Sequence, residues 1–284
     1  MKIAFAGLGV MGAPMARHLL AKGHAVTGYN RSPEKARAWS EAHGGRAAAT
    51  VAEAAAGAEL LILCVGNDDD VRQVVGEAMP HLALGAVIVD HTTTSATVAR
   101  EMSALAAGQG MAFIDAPVSG GQAGAENGQL SVMAGGEAEA LARVEAALMC
   151  YSKAIKHMGS SGAGQLTKMV NQIAIAGVVQ GLAEAVHFAK AAGLDTDAVY
   201  DAVSKGAAQS WQMDNRWKTA AEGRFDFGFA VDWMRKDLGL VLDEARANGA
   251  TLDMTRLVDG YYAEVQALGG NRWDTSSLKA RLKP

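Results

Sequence analysis

The hexapeptide Gly7-Leu8-Gly9-Val10-Met11-Gly12 leaves this chain few folds to choose from. It follows the apolar, β-rich run Lys2–Ala6 directly and leads into the Ala-rich stretch Ala13–Lys22, so the three glycines mark a strand-to-helix turn. In that setting the first glycine allows the tight turn, the second lets a pyrophosphate approach the backbone, and the third permits close contact between helix and strand. The phosphates then rest on the amides and the positive dipole end of the helix. All six residues are therefore candidate dinucleotide contacts, although a tight βα turn with no ligand is the plainer alternative.

The first half of the chain repeats this alternation. Strands are expected at Ala25–Tyr29, Leu60–Val65, Ala86–Asp90, Ala112–Asp115 and Leu130–Ala134, with helical stretches at Pro33–Ala42, Val51–Ala56, Val71–Ala78 and Glu137–Leu148. Such alternation implies a doubly wound parallel sheet covered on both faces, an α/β architecture. After the glycines of 159–164 the character changes. Gln165–Ala192 is about thirty residues without proline, a helix of roughly 40 Å at ~1.5 Å per residue. It is apolar on most faces, so it is expected to be buried on all sides, as the spine of an all-helical domain and part of a subunit interface. Only Phe5, Tyr29, Trp39 and Phe113 are aromatic in the first 150 residues, whereas rings are frequent after Cys150. The expected division is a Rossmann dinucleotide-binding domain over 1–162 and an all-helical domain for substrate and oligomer contacts over 163–284.

A chain of 284 residues can bury two ordinary cores. Its formal charge of −4 argues against binding a phosphate backbone, so no nucleic-acid partner is expected. Cys64 and Cys150 have apolar neighbours, no CxxC spacing and no Cys/His partner. They read as buried thiols of a reducing cytoplasm, with no metal site. The N-terminus resembles a signal peptide only in apolarity, because glycines interrupt it. Ile173 to Leu182, the most apolar later run, falls short of the ~20 residues a membrane span needs.

Further strand ends point at the nucleotide crevice. Tyr29-Asn30-Arg31-Ser32 lies where an acidic residue would hold the ribose 2′-OH of NAD. Asn30, Arg31 and Ser32 instead offer a cation and a hydroxyl to a 2′-phosphate, favouring NADP with NAD still open. Alternatively, Arg31 is a solvated charge stacking on adenine. Val65 and Asn67, with Thr92 and Thr93, are expected to flank the ribose and nicotinamide. Asp68-Asp69-Asp70 reads as helix-start acids complementing a dipole.

Asp115-Ala116-Pro117-Val118-Ser119-Gly120-Gly121 ends a strand in a small-residue loop whose amides and hydroxyl suit a carboxylate. Gly162-x-Gly164 then leads to Lys168, Asn171 and Gln172, which at i, i+3 and i+4 share one face of an otherwise apolar helix. Three polar groups there are costly unless they line a site or find partners.

With these residues the chain resembles the β-hydroxyacid dehydrogenases, the family of 3-hydroxyisobutyrate dehydrogenases, tartronate semialdehyde reductases and succinic semialdehyde/glyoxylate reductases. Four motifs match in order: Phe5–Leu19, Asp115–Gly121, Gly162–Gln172 and Lys236–Asp237. The resemblance implies an oxidoreductase that interconverts a 3-hydroxy acid and its semialdehyde, and the apolar spine helix favours a homodimer or homotetramer over a monomer. Lys168 would be the general acid/base, and burial on an apolar helix makes an ammonium readier to release its proton. Ser119, Gly120 and Gly121 would hold the substrate carboxylate, with Asn171 or Gln172 orienting lysine and substrate. The Asn-Gln pair looks most like the tartronate semialdehyde branch. Lys236 matches a second lysine near the nicotinamide or substrate, or else it forms an ion pair with Asp237 or Asp232. Trp211, Met213 and Trp233 are expected either to contact a substrate larger than glyoxylate or to pack between helices and subunits. An imine reductase shares the architecture, but most replace the lysine. A 6-phosphogluconate dehydrogenase has a longer C-terminal domain and a basic cluster. A non-catalytic NADP-binding module is the remaining alternative.

Overall fold

The computed structural model describes residues 1–282, which form two compact units dividing between Lys168 and Met169. In the first unit, strands β1 (Lys2–Ala6), β2 (Ala25–Tyr29), β3 (Arg46–Ala47), β4 (Leu60–Leu63), β5 (Val87–Asp90) and β6 (Ala112–Asp115) alternate with helices α1 (Gly12–Ala21), α2 (Pro33–His43), α3 (Val51–Ala55), α4 (Asp68–Ala78) and α5 (Ala96–Ala107). The six strands are parallel in the order β3-β2-β1-β4-β5-β6, the doubly wound arrangement expected. Both faces are buried, so the central strands β1, β4, β5 and β6 read as nearly continuous apolar runs rather than alternating. Ile3 and Phe5 face Met15, Leu19 and Trp39 on one side. Ala4 and Ala6 face Val51, Val75 and Val98 on the other.

Beyond β6 the sheet is no longer purely parallel, which corrects the expectation. The chain continues through β7 (Val118–Ser119), α6 (Gly121–Glu126), β8 (Leu130–Gly135), α7 (Ala138–Leu148) and β9 (Ser152–Gly159). Asp115 pairs with Gly135, Val118 with Val132 and Ser119 with Ser131, one antiparallel register along a single edge of β8. β7 thus prolongs β6 past an interruption at Ala116-Pro117, where proline has no N–H to give the ladder. β9 runs parallel to β8 on its other side.

Helix α8 (Ala163–Ala191) begins in the first unit and continues into the second, followed by α9 (Thr196–Val203), α10 (Trp211–Glu222), α11 (Val231–Asn248), α12 (Asp253–Ala267) and a 3₁₀ segment, Thr275–Arg281. Ala176, Val179 and Ala183 of α8 form one core with Val231, Met234 and Leu238 of α11 and Val258, Tyr262 and Val265 of α12. Leu182 and Val186 form another with Met213, Trp217 and Ala221 of α10. Contrary to expectation, α8 is not buried on all sides, since Val170 is 65% and Phe188 70% exposed. By length and composition alone α8 is also apolar enough to cross a membrane, which the shorter run considered in the sequence is not. Its inward face nevertheless packs into two cores, as in a core helix. The two cysteines are half-buried rather than buried, and Cys150 Sγ lies 3.8 Å from His24 Nε2, a Cys/His approach that the spacing does not show. Burial pushes the Cys150 thiol up.

Candidate active site

The three glycines differ in what surrounds them. Gly7 has φ +101°, and a Cβ there would lie 2.1 Å from Cys64 O. A Cβ on Gly12 would lie 1.8 Å from Gly7 O, so only glycine lets α1 start so close to β1. A Cβ on Gly9 would meet nothing within 4 Å. The tight turn and the close packing are thus occupied by protein, while the middle glycine borders open space of the kind a pyrophosphate needs. Val10 is 66% exposed, Met11 half-buried, and Leu8 points inward to the core. These residues fit a dinucleotide phosphate, with contact to Leu8 confined to its backbone.

Asn30 braces this turn. Its Oδ1 accepts the Leu8 N–H at 3.0 Å and its Nδ2 donates to Ser32 O at 3.2 Å. Ser32 is the N-cap residue of α2, without a capping bond from its hydroxyl. Arg31 reaches over to Asp70 Oδ1 at 3.1 Å, while Asp70 Oδ2 accepts the Gly66 N–H at 3.1 Å. Asn67 caps α4 by accepting the Asp70 N–H, so the three aspartates lie in the first helical turn. Val65 N–H donates to Thr92 Oγ1 at 3.0 Å. Thr92 is buried and its hydroxyl is engaged inside the protein, whereas Thr93 is half-buried. Of the two threonines, Thr93 is the one with surface left for a ligand.

The carboxylate loop is anchored at its first residue. Asp115 is buried, and its Oδ1 and Oδ2 accept the Gly162 and Gln165 N–H groups at 2.8 and 3.0 Å. Burial raises the Asp115 carboxyl above the usual carboxylate range, and these amides pull it back. His91 holds the next residue: its Nδ1 lies 2.6 Å from Ala116 O, its Nε2 2.8 Å from the Tyr151 hydroxyl, and burial lowers it to about 4. The ring is therefore neutral near pH 7, with Nδ1–H donating to the carbonyl and Nε2 accepting from Tyr151. Ser119 ends β7 half-buried, and Gly120 and Gly121 follow at φ +131° and +61°. Lys168 stands one turn beyond Gln165 on α8 and is 9% exposed.

In the second unit Gln172 is buried, its Nε2 donating to Asp237 Oδ2 at 2.7 Å while its Oε1 accepts from Asn171 Nδ2 at 2.8 Å. Lys236 lies 3.2 Å from Asp237 Oδ1, so the ion pair weighed for it exists. Trp233 is exposed, with Lys236 and Arg272 each 5.9 Å from its ring centroid. Trp211 is exposed, with the Arg216 guanidinium 5.0 Å from its ring. Met213 is buried in the α8–α10 core, which removes it as a substrate contact. As parts of the site, His91, Tyr151 and Gln165 were not anticipated. Gln165, three residues before Lys168, was the most accessible to spacing arguments. Among the described residues, no group of three or more His, Cys, Asp or Glu is placed to hold a metal ion.

A glycine turn on a 3-2-1-4-5-6 sheet, followed by a helical unit, defines an NAD(P)-binding oxidoreductase. Residues 2–159 match the model of the NAD binding domain of 6-phosphogluconate dehydrogenase. Residues 162–282 match that of the NAD-binding region of NADP-dependent 3-hydroxyisobutyrate dehydrogenase. An uncharacterized oxidoreductase of Shewanella frigidimarina is 60% identical, over 99% of this chain and 98% of its own length. The solved structure of Mycobacterium tuberculosis 3-hydroxyisobutyrate dehydrogenase with L-serine is 33% identical, covers 99% of both chains and superposes with a TM-score of 0.90. A structure described as Psf3 in complex with NADP+ and 2-OPP is 26% identical, with a TM-score of 0.88 over 99% of this chain and 100% of its own. The chain belongs to the 3-hydroxyisobutyrate dehydrogenase family of NAD(P)-binding hydroxyacid dehydrogenases.

Proposed function

We propose that the protein interconverts a 3-hydroxy acid and its semialdehyde, with NADP preferred over NAD. The observation that carries this reading is Lys168, a nearly buried lysine one turn after a helix start fixed to Asp115 of the carboxylate loop. A bound nicotinamide supplies the acceptor or donor of hydride at its C4. The Ser119 hydroxyl and the amides of Gly120 and Gly121 bind the substrate carboxylate. Lys168 takes the hydroxyl proton as the carbinol carbon loses hydride, and returns it in the reverse direction. Two electrons and one proton thus leave as hydride, and the second proton passes through Nζ. Asn171 and Gln172 orient the substrate end of α8, and Asp237 holds Gln172 and Lys236. Arg31 is the residue for a 2′-phosphate. Val170 and Phe188, five turns apart on one line of α8 and largely exposed, support a homo-oligomer in which a second copy covers them. Half-buried thiols support a reducing, cytoplasmic setting.

Lys168→Ala tests the reading. Turnover of 3-hydroxy acids or semialdehydes should fall about a hundredfold to ten-thousandfold, the range of general acid–base catalysis, with NADP affinity within about threefold. Retention of most turnover would remove Lys168 from proton transfer.

A further inference from the structure

Gln165 is wholly buried, yet its carboxamide is committed to backbone on another element. Nε2 donates to Thr92 O at 2.7 Å, and Oε1 accepts the Thr94 N–H at 3.1 Å. The two bonds bracket Thr93, the half-buried residue between two buried threonines in the loop after β5. Thr92 Oγ1 in turn accepts the Val65 N–H, extending the lattice to the end of β4. On its own backbone, Gln165 N–H donates to Asp115 Oδ2. One residue thus joins the nicotinamide-side loop, the first residue of the carboxylate loop and the start of α8.

We propose that Gln165 is the positioning residue that sets the direction of Lys168. The inference rests on Lys168 as the proton-transfer group. The core contacts of α8 lie from Ile175 onward. Its first turns are tied instead by Asp115, which accepts the Gly162 and Gln165 N–H groups, and by the Gln165 carboxamide. Lys168 at i+3 lies about 4.5 Å along the axis and ~60° around it from Gln165, so a shift of one carries the other. Packing alone does not call for a carboxamide here, because an apolar side chain of similar volume would fill the space. What the carboxamide adds is a donor and an acceptor matched to a C=O and an N–H two residues apart. Displacements of ~1 Å at a reacting group cost on the order of a hundredfold in rate.

Gln165→Met and the nearly isosteric Gln165→Glu test this in the full-length protein, with kcat and KM measured from pH 5 to pH 9 and NADP affinity by fluorescence. Gln165→Met should lower kcat about 10- to 100-fold, with substrate KM and NADP Kd within about threefold. Glu keeps an acceptor for Thr94 but lacks the donor to Thr92 while ionised. Its carboxyl, raised by burial, regains that donor on protonation, so kcat relative to wild type should rise as pH falls. A kcat within threefold of wild type for Gln165→Met overturns the proposal. So does a flat pH ratio for Gln165→Glu, which decides the matter if the Met variant fails to fold. Lys168→Ala in the same series separates the two claims: if it retains turnover, the proton-transfer reading fails first. If it is inactive while both Gln165 variants behave as wild type, only the positioning role fails.

Discussion

On the proposed reading Arg31 is the residue on which cofactor choice turns, and its neighbour makes the choice measurable in both directions. Its side chain is 86% exposed and its partner Asp70 is 22% exposed, so their ion pair contributes ~1 kcal/mol or less. A 2′-phosphate offers Arg31 a bidentate, doubly charged partner and readily competes for it. The same Asp70 carboxylate repels a phosphate brought to that place. Arg31→Ala should therefore weaken NADP about tenfold or more and leave NAD within about threefold. Asp70→Asn, which can still accept the Gly66 N–H, should tighten NADP and leave NAD unchanged. Titration of both cofactors against the three proteins checks this. Equal changes for NAD and NADP would assign Arg31 to adenine stacking instead. Asn30 shows why the residue beside it was harder to interpret. A carboxamide at the end of β2 suggested cofactor contact, and its amide also braces the protein, with one hydrogen bond to Leu8 and one to Ser32.

At the scale of elements, β1, β2 and β6 lie where the sequence placed them: β1 and β6 are short apolar runs buried on both faces, and β2 is a β-rich run that ends at Tyr29. β9 went unseen for the opposite reason: Lys153, Lys156 and His157 make Ser152–Gly159 polar, and its residues are mostly exposed. α4 begins three residues before the expected Val71, because Asn67 rather than an aspartate supplies the cap. Within the site, Gly7 and Gly12 were legible since each place admits one residue type, and Lys168 since it is a cation on an apolar helix face. The ties among them were not, because topology alone brings Gln165 to Thr92 and His91 to Tyr151. The His91 tie also has a pH signature. Folding lowers His91 from 6.5 to about 4, so the unfolded chain takes up a proton that the folded protein refuses. Stability from this group is complete above about pH 6.5 and is lost as pH falls toward 4, by roughly 3 kcal/mol. Asp115, raised by burial, acts with the opposite sign: its contribution is present at low pH and is lost as pH rises through its folded value. The informative quantity is therefore a difference between proteins. Denaturant midpoints from pH 4 to pH 8 should show the gap between wild type and His91→Gln narrowing as pH falls, and parallel curves would refute the assignment.

For the whole molecule, the two units have separate cores: among the described residues, none of the sheet cores takes part in those built on α10, α11 and α12. The glycine turn, Arg31, the Thr92–Thr94 loop and Lys168 all belong to the first unit, so a cofactor bound as proposed acts on the stability of that unit directly. A ligand that binds only the folded form adds RT ln(1 + [L]/Kd), about 2.7 kcal/mol at a hundredfold excess over Kd. For a unit of this size each kcal/mol moves the midpoint by roughly 2–4 °C, giving an increase of roughly 5–10 °C for a cofactor at that excess. NADP and NAD at the same concentration should thus give different thermal shifts, NADP the larger, because the weaker ligand stands at a smaller multiple of its Kd. In Arg31→Ala the NADP shift should shrink to the NAD shift while the unliganded midpoint stays within about a degree, since an exposed ion pair is all the fold loses. Differential scanning fluorimetry or calorimetry reads all of these. If wild type shows equal shifts for the two cofactors, the preference for NADP is wrong. If neither cofactor moves the first unit's transition, the open space at Gly9 is not a dinucleotide site.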